Sequence, residues 1–324
     1  VRPEAGAYMA ASLAANLAEM RLHDRAGESH YVDPLTGEVK ETSMWMRQTG
    51  THAHFRSAGE TLRTHITGGV TQLGGDIIRR SGEGDVRANL GLFGTALYAK
   101  SSTRSTLSSH SADTSSDGYT VGVYATLFNG QGERLDQGGY LDLWAQYAWL
   151  DHEIRPKELA TEEVDADGII ASVEAGWTFQ LGTTGKNTSH AVDWSLQPQF
   201  QAIYEGVKLD EHVETEGTRV EMTGEGNVKT RLGFRLQASP ESQPGERRGQ
   251  GFLEFNWIHN TKTVGVEMDG VEVESKGMKD AGEVRIGFEG ELTENLHGWI
   301  SGGYLAGGSG YHQETVNIGL KYLW

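Results

Sequence analysis

The chain has 324 residues, with 28 Lys and Arg against 45 Asp and Glu, giving a formal net charge of −17 and a sequence pI of about 5.1. That acidic excess argues against a nucleic-acid partner. The 37% hydrophobic content, a mean hydropathy of −0.48 and the lack of any run of ~18 apolar residues mean that no transmembrane helix is encoded. Zero cysteines exclude disulfides, thiolate zinc sites and cysteine nucleophiles, while 44 glycines with only 6 prolines point toward β-structure. No basic and apolar leader opens the chain, and the start at Val1-Arg2-Pro3 without Met is expected of a processed or excised piece.

Residues 3 to 22 predict an α-helix: Pro3 and Glu4 at the first turn, then Ala at 10, 11, 14, 15 and 18, with an apolar stripe at Met9, Leu13, Leu17 and Met20. Some 20 residues at ~1.5 Å each give ~30 Å, the thickness of a bilayer core. In lipid this rod is poor, because Glu4, Asn16, Glu19 and Arg21 interrupt it. From about residue 43 the period changes from 3.6 to 2 and stays there to the end. Ile169, Ala171, Val173, Ala175, Trp177, Phe179 and Leu181 share one parity opposite Ser172, Glu174, Gly176, Thr178 and Gln180. Val228, Thr230, Leu232, Phe234, Leu236 and Ala238 oppose Lys229, Arg231, Gly233, Arg235 and Gln237. The last run places Val316, Ile318, Leu320, Tyr322 and Trp324 opposite Asn317, Gly319 and Lys321.

About twelve such runs are predicted, at roughly 43–55, 63–78, 87–100, 118–129, 138–150, 168–182, 191–206, 226–239, 250–260, 281–293, 296–306 and 312–324. Each is ~10 residues or longer, the length a tilted strand needs to cross a bilayer. All eight Trp fall inside them, as expected of aromatic girdles. Short connectors such as 80–86 and 293–296 contrast with long polar ones at 101–117, 151–167, 207–225 and 261–280; 130–137 and 240–249 are longer than a strict alternation wants. A soluble sandwich or barrel also alternates, but the faces opposite the apolar ones carry Arg and Glu in nearly every run, which favours apolar-out and polar-in.

The expected fold is thus an all-β membrane protein: a 12-stranded antiparallel outer-membrane β-barrel with an N-terminal α-helix plugging the pore. The division is 1–25 pore-spanning helix, 26–42 linker and 43–324 barrel. Candidate helix residues in the pore are Glu4, Ala7, Tyr8, Ala11, Ala14, Asn16, Ala18 and Arg21; candidate lumen-wall residues are Glu174, Arg231, Arg235, Glu254, Glu283, Arg285 and Glu289. The wall charges would grip Glu4, Asn16, Glu19 or Arg21, and a helix lying on the membrane surface is the competing placement.

Catalytic constellations are weaker. Asp151-His152 sits at a strand end near His110 and Asp113, as an outer-membrane protease would require, yet adjacent residues point to opposite faces. No His falls on an apolar parity to serve a lipase. His52 and His54 share a face but lack an evident third metal ligand, and read as polar wall. Glycine pairs at 68–69, 74–75 and 302–303 open no helix after a strand, so they mark sheet bends or close approach of the plug rather than phosphate loops. The acids Asp151, Glu153, Glu158, Glu162, Glu163, Asp165 and Asp167 lack calcium-ligand spacing and read as a solvated surface. No catalytic residue, metal or cofactor is expected.

The stretch Arg2-Pro3-Glu4-Ala5-Gly6-Ala7-Tyr8, the run Met20-Arg21-Leu22-His23-Asp24-Arg25 and the ending Tyr322-Leu323-Trp324 resemble the C-terminal translocator domain of autotransporters, in wording nearest the AIDA-type self-associating adhesins. The resemblance covers the whole chain. It implies a type V secretion unit, monomeric in outer-membrane lipid, that delivers and anchors an N-terminal passenger at the cell surface. It also implies that Val316, Ile318, Leu320, Tyr322 and Trp324 are the signal read by the barrel-assembly machinery. A branch of the family cuts its helix at a tandem Asn pair; Asn16 is followed here by Leu17, so an uncut plug is expected. An outer-membrane hydrolase or a diffusion porin is the alternative function.

Overall fold

The computed structural model describes residues 1–26, 43–81, 86–130, 138–186, 191–240 and 249–324. Most of the expected linker and the connectors at 80–86, 130–137 and 240–249 lie wholly or partly outside the described residues. The elements in chain order are α1 (Glu4–Ser12), a 3-10 helix (Ala14–Ala18), α2 (His23–Ala26), β1 (Ser43–Ser57), β2 (Leu62–Ser81), β3 (Val86–Ser105), β4 (Ser111–Gly130), β5 (Gly138–Pro156), β6 (Glu162–Thr184), β7 (Val192–Leu209), β8 (His212–Val213), β9 (Arg219–Thr223), β10 (Asn227–Pro240), β11 (Gly249–Asn260), β12 (Gly265–Met268), β13 (Val271–Glu274), β14 (Asp280–Glu291), β15 (Leu296–Gly307) and β16 (His312–Leu323).

Twelve of these strands close an antiparallel barrel in the order β1-β2-β3-β4-β5-β6-β7-β10-β11-β14-β15-β16, with β16 pairing back onto β1 from Ser43↔Leu323 to His54↔His312. Closure leaves no strand edge unpaired, which a sheet in lipid requires. Large side chains on the outer parity are bare: Leu92, Val121, Val123, Ile286, Phe288, Ile300 and Ile318 are all more than two-fifths exposed.

The twelve runs are all present, but the hairpins at one end reach further than the pattern indicated. β3 and β4 pair continuously to Arg104↔Ser111, and β5 and β6 to Ile154↔Glu162, so most of the stretches expected as loops at 101–117 and 151–167 are strand. On β3 and β4 both faces there are polar and the period-2 contrast vanishes, whereas on β5 and β6 it inverts, with Ile154, Val164 and Ala166 buried inward and Asp151, Glu163 and Asp165 exposed outward. The connectors at 207–225 and 261–280 instead build a four-stranded sheet, β13-β12-β9-β8. At the opposite end the described strand connection, between β14 and β15, is a tight turn in which Leu292 N–H donates to Leu296 C=O at 2.8 Å.

Two expectations about faces need correction. Trp149, Trp177, Trp194, Trp257 and Trp324 take the outer parity, but Trp45, Trp144 and Trp299 point inward and are buried. Trp45 packs at a tilt against Phe93 and Tyr124 inside the barrel. The interior is also not uniformly polar: Val70, Phe93, Leu97, Trp144 and Ala148 give the β2–β5 side an apolar inner face, and the charges gather mainly across from it. An Ala-rich helix needs an apolar wall to bury against, and this is the wall it uses.

Candidate functional site: the occupied lumen

The N-terminal segment runs through the barrel. Ala5, Ala7, Ala10, Ala11, Ala14, Ala15 and Ala18 are buried in one cluster with the apolar β2–β5 face. Small side chains allow this closeness. At Gly6 a Cβ would stand 2.5 Å from Thr103 Cγ2 and 2.7 Å from Thr64 Oγ1, and on the wall Gly68 meets Leu17 in the same way. Gly74 lies under the Trp45 ring and Gly303 beside Arg285, so of the glycine pairs only Gly68 receives the plug.

At the long-hairpin end Arg2 pairs with Glu4 at 3.3 Å and with Glu214 at 2.9 Å. Tyr8 Oη donates to Glu214 at 3.2 Å and lies 2.9 Å from His212 Nε2, so the small outer sheet caps the entry of the segment.

A continuous helix over 3–22 does not form. α1 ends at Ser12, the 3-10 turn ends at Ala18, and Glu19 is extended with φ −65° and ψ 150°. The lumen wall supplies the reason: it satisfies the carbonyls that a continuing helix would have used internally. Gln72 and Gln146 donate to Ala18 O at 2.8 and 3.2 Å, and Arg47 donates to Glu19 O at 2.6 Å. Trp144 and Gln201 donate to Met20 O at 3.2 and 3.0 Å. Leu22 N–H in turn donates to Glu174 Oε2 at 3.0 Å.

Beyond this break the segment becomes a chain of ion pairs. Arg21 bonds Glu254 at 2.9 Å and Glu283 at 2.7 Å; Asp24 receives Arg285 at 2.7 Å and lies 3.5 Å from Arg47; Arg25 pairs with Asp142 over the ring of Tyr124. Wall residues knit the network together, with Arg231 3.1 Å from Glu174 and 3.4 Å from Glu254, and Arg235 2.7 Å from Glu289. Nearer the middle, Lys229 sits between Glu19 at 2.9 Å and Glu205 at 2.6 Å. Each charge is buried or largely buried with an opposite charge within 4 Å, the condition under which a charge tolerates removal from water.

Of the residues singled out from sequence, Glu4, Ala7, Tyr8, Ala11, Ala14 and Ala18 are buried in the lumen, while Asn16 and Arg21 are partly exposed. Asn16 lines a cavity of about 250 Å³ beside Glu19, Lys229 and Tyr311. Glu174, Arg231, Arg235, Glu254, Glu283, Arg285 and Glu289 all face inward within this network. Missed were Asp142, Glu205, Lys229, Arg47 and the glutamines 72, 146 and 201. Lys229 shares the parity of Arg231 and was detectable; the glutamines carry no charge signal. Asp151 is exposed and His152 buried, so they do point apart, and His110 pairs instead with Glu158 at 3.0 Å. His52 and His54 lie on the outer face, not on the lumen wall.

A closed twelve-stranded barrel with an N-terminal segment bound through its bore defines a one-chain translocator of the outer membrane. The family model of the autotransporter beta-domain matches residues 44–303, and the chain belongs to that family and to the bacterial outer membrane. It is 32% identical over 99% of its length to the autotransporter adhesin AIDA-I of Escherichia coli and 38% identical over its whole length to the uncharacterized protein YuaQ of Escherichia coli K12. It spans about a quarter of the length of each, 25% and 24% respectively. The crystal structure of the AIDA-I transport unit superposes with a TM-score of 0.88 at 32% identity, covering all of both chains.

Proposed function

We propose that the chain is the translocator of a longer autotransporter whose adhesin passenger is joined ahead of Val1 and held at the cell surface. The carrying observation is the polarity of the N-terminal segment. Arg2 and Tyr8 bind the outer sheet, whereas Arg25 binds Asp142 near the end where β1 begins at Ser43 and β16 ends at Leu323. A chain leaving Val1 therefore emerges among the long hairpins, which lie outside the cell in such barrels.

On this reading residues 1–25 are the pore segment, 26–42 the linker and 43–324 the barrel; the lumen ion pairs hold the segment once transport ends. The segment stays uncut, since Asn16 precedes Leu17. The outward row Val316, Ile318, Leu320, Tyr322 and Trp324 is the assembly signal, and outer-membrane lipid is the solvent of that face. The chain works as conduit and anchor, without a catalytic role. An epitope fused ahead of Val1 should label with antibody on intact cells. Labelling only after permeabilisation would remove the reading.

A further inference from the structure

The outer wall of β16, β1, β2 and β3 carries a patch that transport does not use. Three cross-strand rows stack there by register. The row nearest the long hairpins is Arg56, Arg63 and Arg104, the next is His312, His54, His65 and Ser102, and the third is Glu314, His52, Thr67 and Lys100. Three arginines in adjacent positions on one face repel one another, an arrangement that costs stability unless an anion lies among them. Arg56 is partly neutralised by Glu60 at 3.1 Å, but Arg63, Arg104 and Lys100 are exposed and form no ion pair among the described residues. Below them the imidazoles cluster, His54 and His65 with ring centroids 4.3 Å apart and His54 and His312 5.1 Å apart. Glu314 in the third row and Asp113, paired with Ser102 on β4, are the carboxylates at the margins.

Height along the barrel identifies what faces the patch. Trp324 and Glu314 are ten residues apart on β16, which at ~3.4 Å per residue and a tilt of ~40° is about 26 Å along the membrane normal, close to the ~25 Å of the apolar band. The third row thus lies at the outer interface, with the arginines just above it. Tyr304 on β15 and Tyr98 on β3 flank the patch with exposed rings of the outer girdle, and histidines take that place on β1 and β2. On a chain of net charge −17, a cationic cluster at headgroup height is complementary to one neighbour above all, the phosphorylated glycolipid of the outer leaflet.

The geometry points to a lipid-phosphate site in which Arg63, Arg104 and Lys100 bind the headgroup phosphate and His54, His65 and His312 line its acyl side. A planar guanidinium donates two N–H hydrogen bonds to phosphate oxygens.

The test uses the full chain, purified folded in detergent and titrated with bisphosphorylated lipid A, dephosphorylated lipid A or inorganic phosphate, with bound species counted by native mass spectrometry. The wild type should retain bisphosphorylated lipid A about tenfold more tightly than R63Q/R104Q and than it retains the dephosphorylated form. R63K/R104K, which keeps the charge but loses the two-donor fork, should bind more weakly than the wild type and more tightly than R63Q/R104Q, and millimolar inorganic phosphate should not compete. Equal binding by R63Q/R104Q, or indifference to the lipid phosphates, would overturn the site. Displacement by inorganic phosphate would make it a free-anion site and overturn the lipid assignment.

Discussion

Arg21 is the side chain whose loss should be felt most in the lumen. It is the cation that pairs with both Glu254 and Glu283, which Asn256 also bridges by hydrogen bonds, and Arg21→Glu would leave three carboxylates facing one another out of water. Breaking one partner of a buried pair costs about 3–5 kcal/mol. We expect the variant to unseat the segment and raise leak conductance in planar bilayers; an unchanged leak would show that the ion pairs do not hold it. Gly6 acts through shape instead of charge. The atoms a Cβ would meet belong to Thr64 and Thr103, which are β-branched and cannot swing away. Gly6→Val should therefore cost about 1–3 kcal/mol by overpacking, read as a lower unfolding midpoint, whereas Ala15→Gly leaves the contact open and should cost less.

β16 illustrates how far periodicity carries. Val316, Ile318, Leu320, Tyr322 and Trp324 read unambiguously from sequence because one face meets lipid and the other Asn317 and Lys321. Ile318→Arg near mid-band should destabilise the barrel by about 2–4 kcal/mol in urea unfolding from vesicles, while Ile318→Leu stays near neutral. A loss confined to assembly in cells, with unfolding unchanged, would assign this row to recognition instead. The pattern fails where the environment loses its contrast. Beyond Gly118 on β4 toward Ser111, the outward Asp113, Ser115 and Asp117 and the inward Thr114 and Ser116 are equally polar, so the hairpin read as loop. The N-terminal helix failed for a different reason. Ala-rich propensity favours continuing past Ala18, but that propensity is worth only tenths of a kcal/mol per residue, and Gln72, Gln146, Arg47, Trp144 and Gln201 together outbid it by binding the carbonyls of residues 18 to 20. The charged wall on β10 and β14 was visible by parity; which acid meets which base required the barrel register.

For the barrel as a unit, occupancy of the bore is the property to measure. The full chain should conduct weakly, and a chain lacking residues 1 to 25 should conduct strongly, because removing the segment joins its volume to the existing 250 Å³ cavity. Equal, large conductance from both would favour a diffusion porin. The long reach of the segment's contacts also sets an order of events. Tyr8 meets Glu214 206 positions away, Arg21 meets Glu283 262 away, and Asp24 meets Asn317 293 away. None of these partners is in place until the outer sheet with β8 and the strands β14 and β16 have formed. Until then only earlier strands, through groups such as Gln72, Asp142 and Glu174, can hold the N-terminal residues. Completion of the last strand thus adds the final part of the bore's brake.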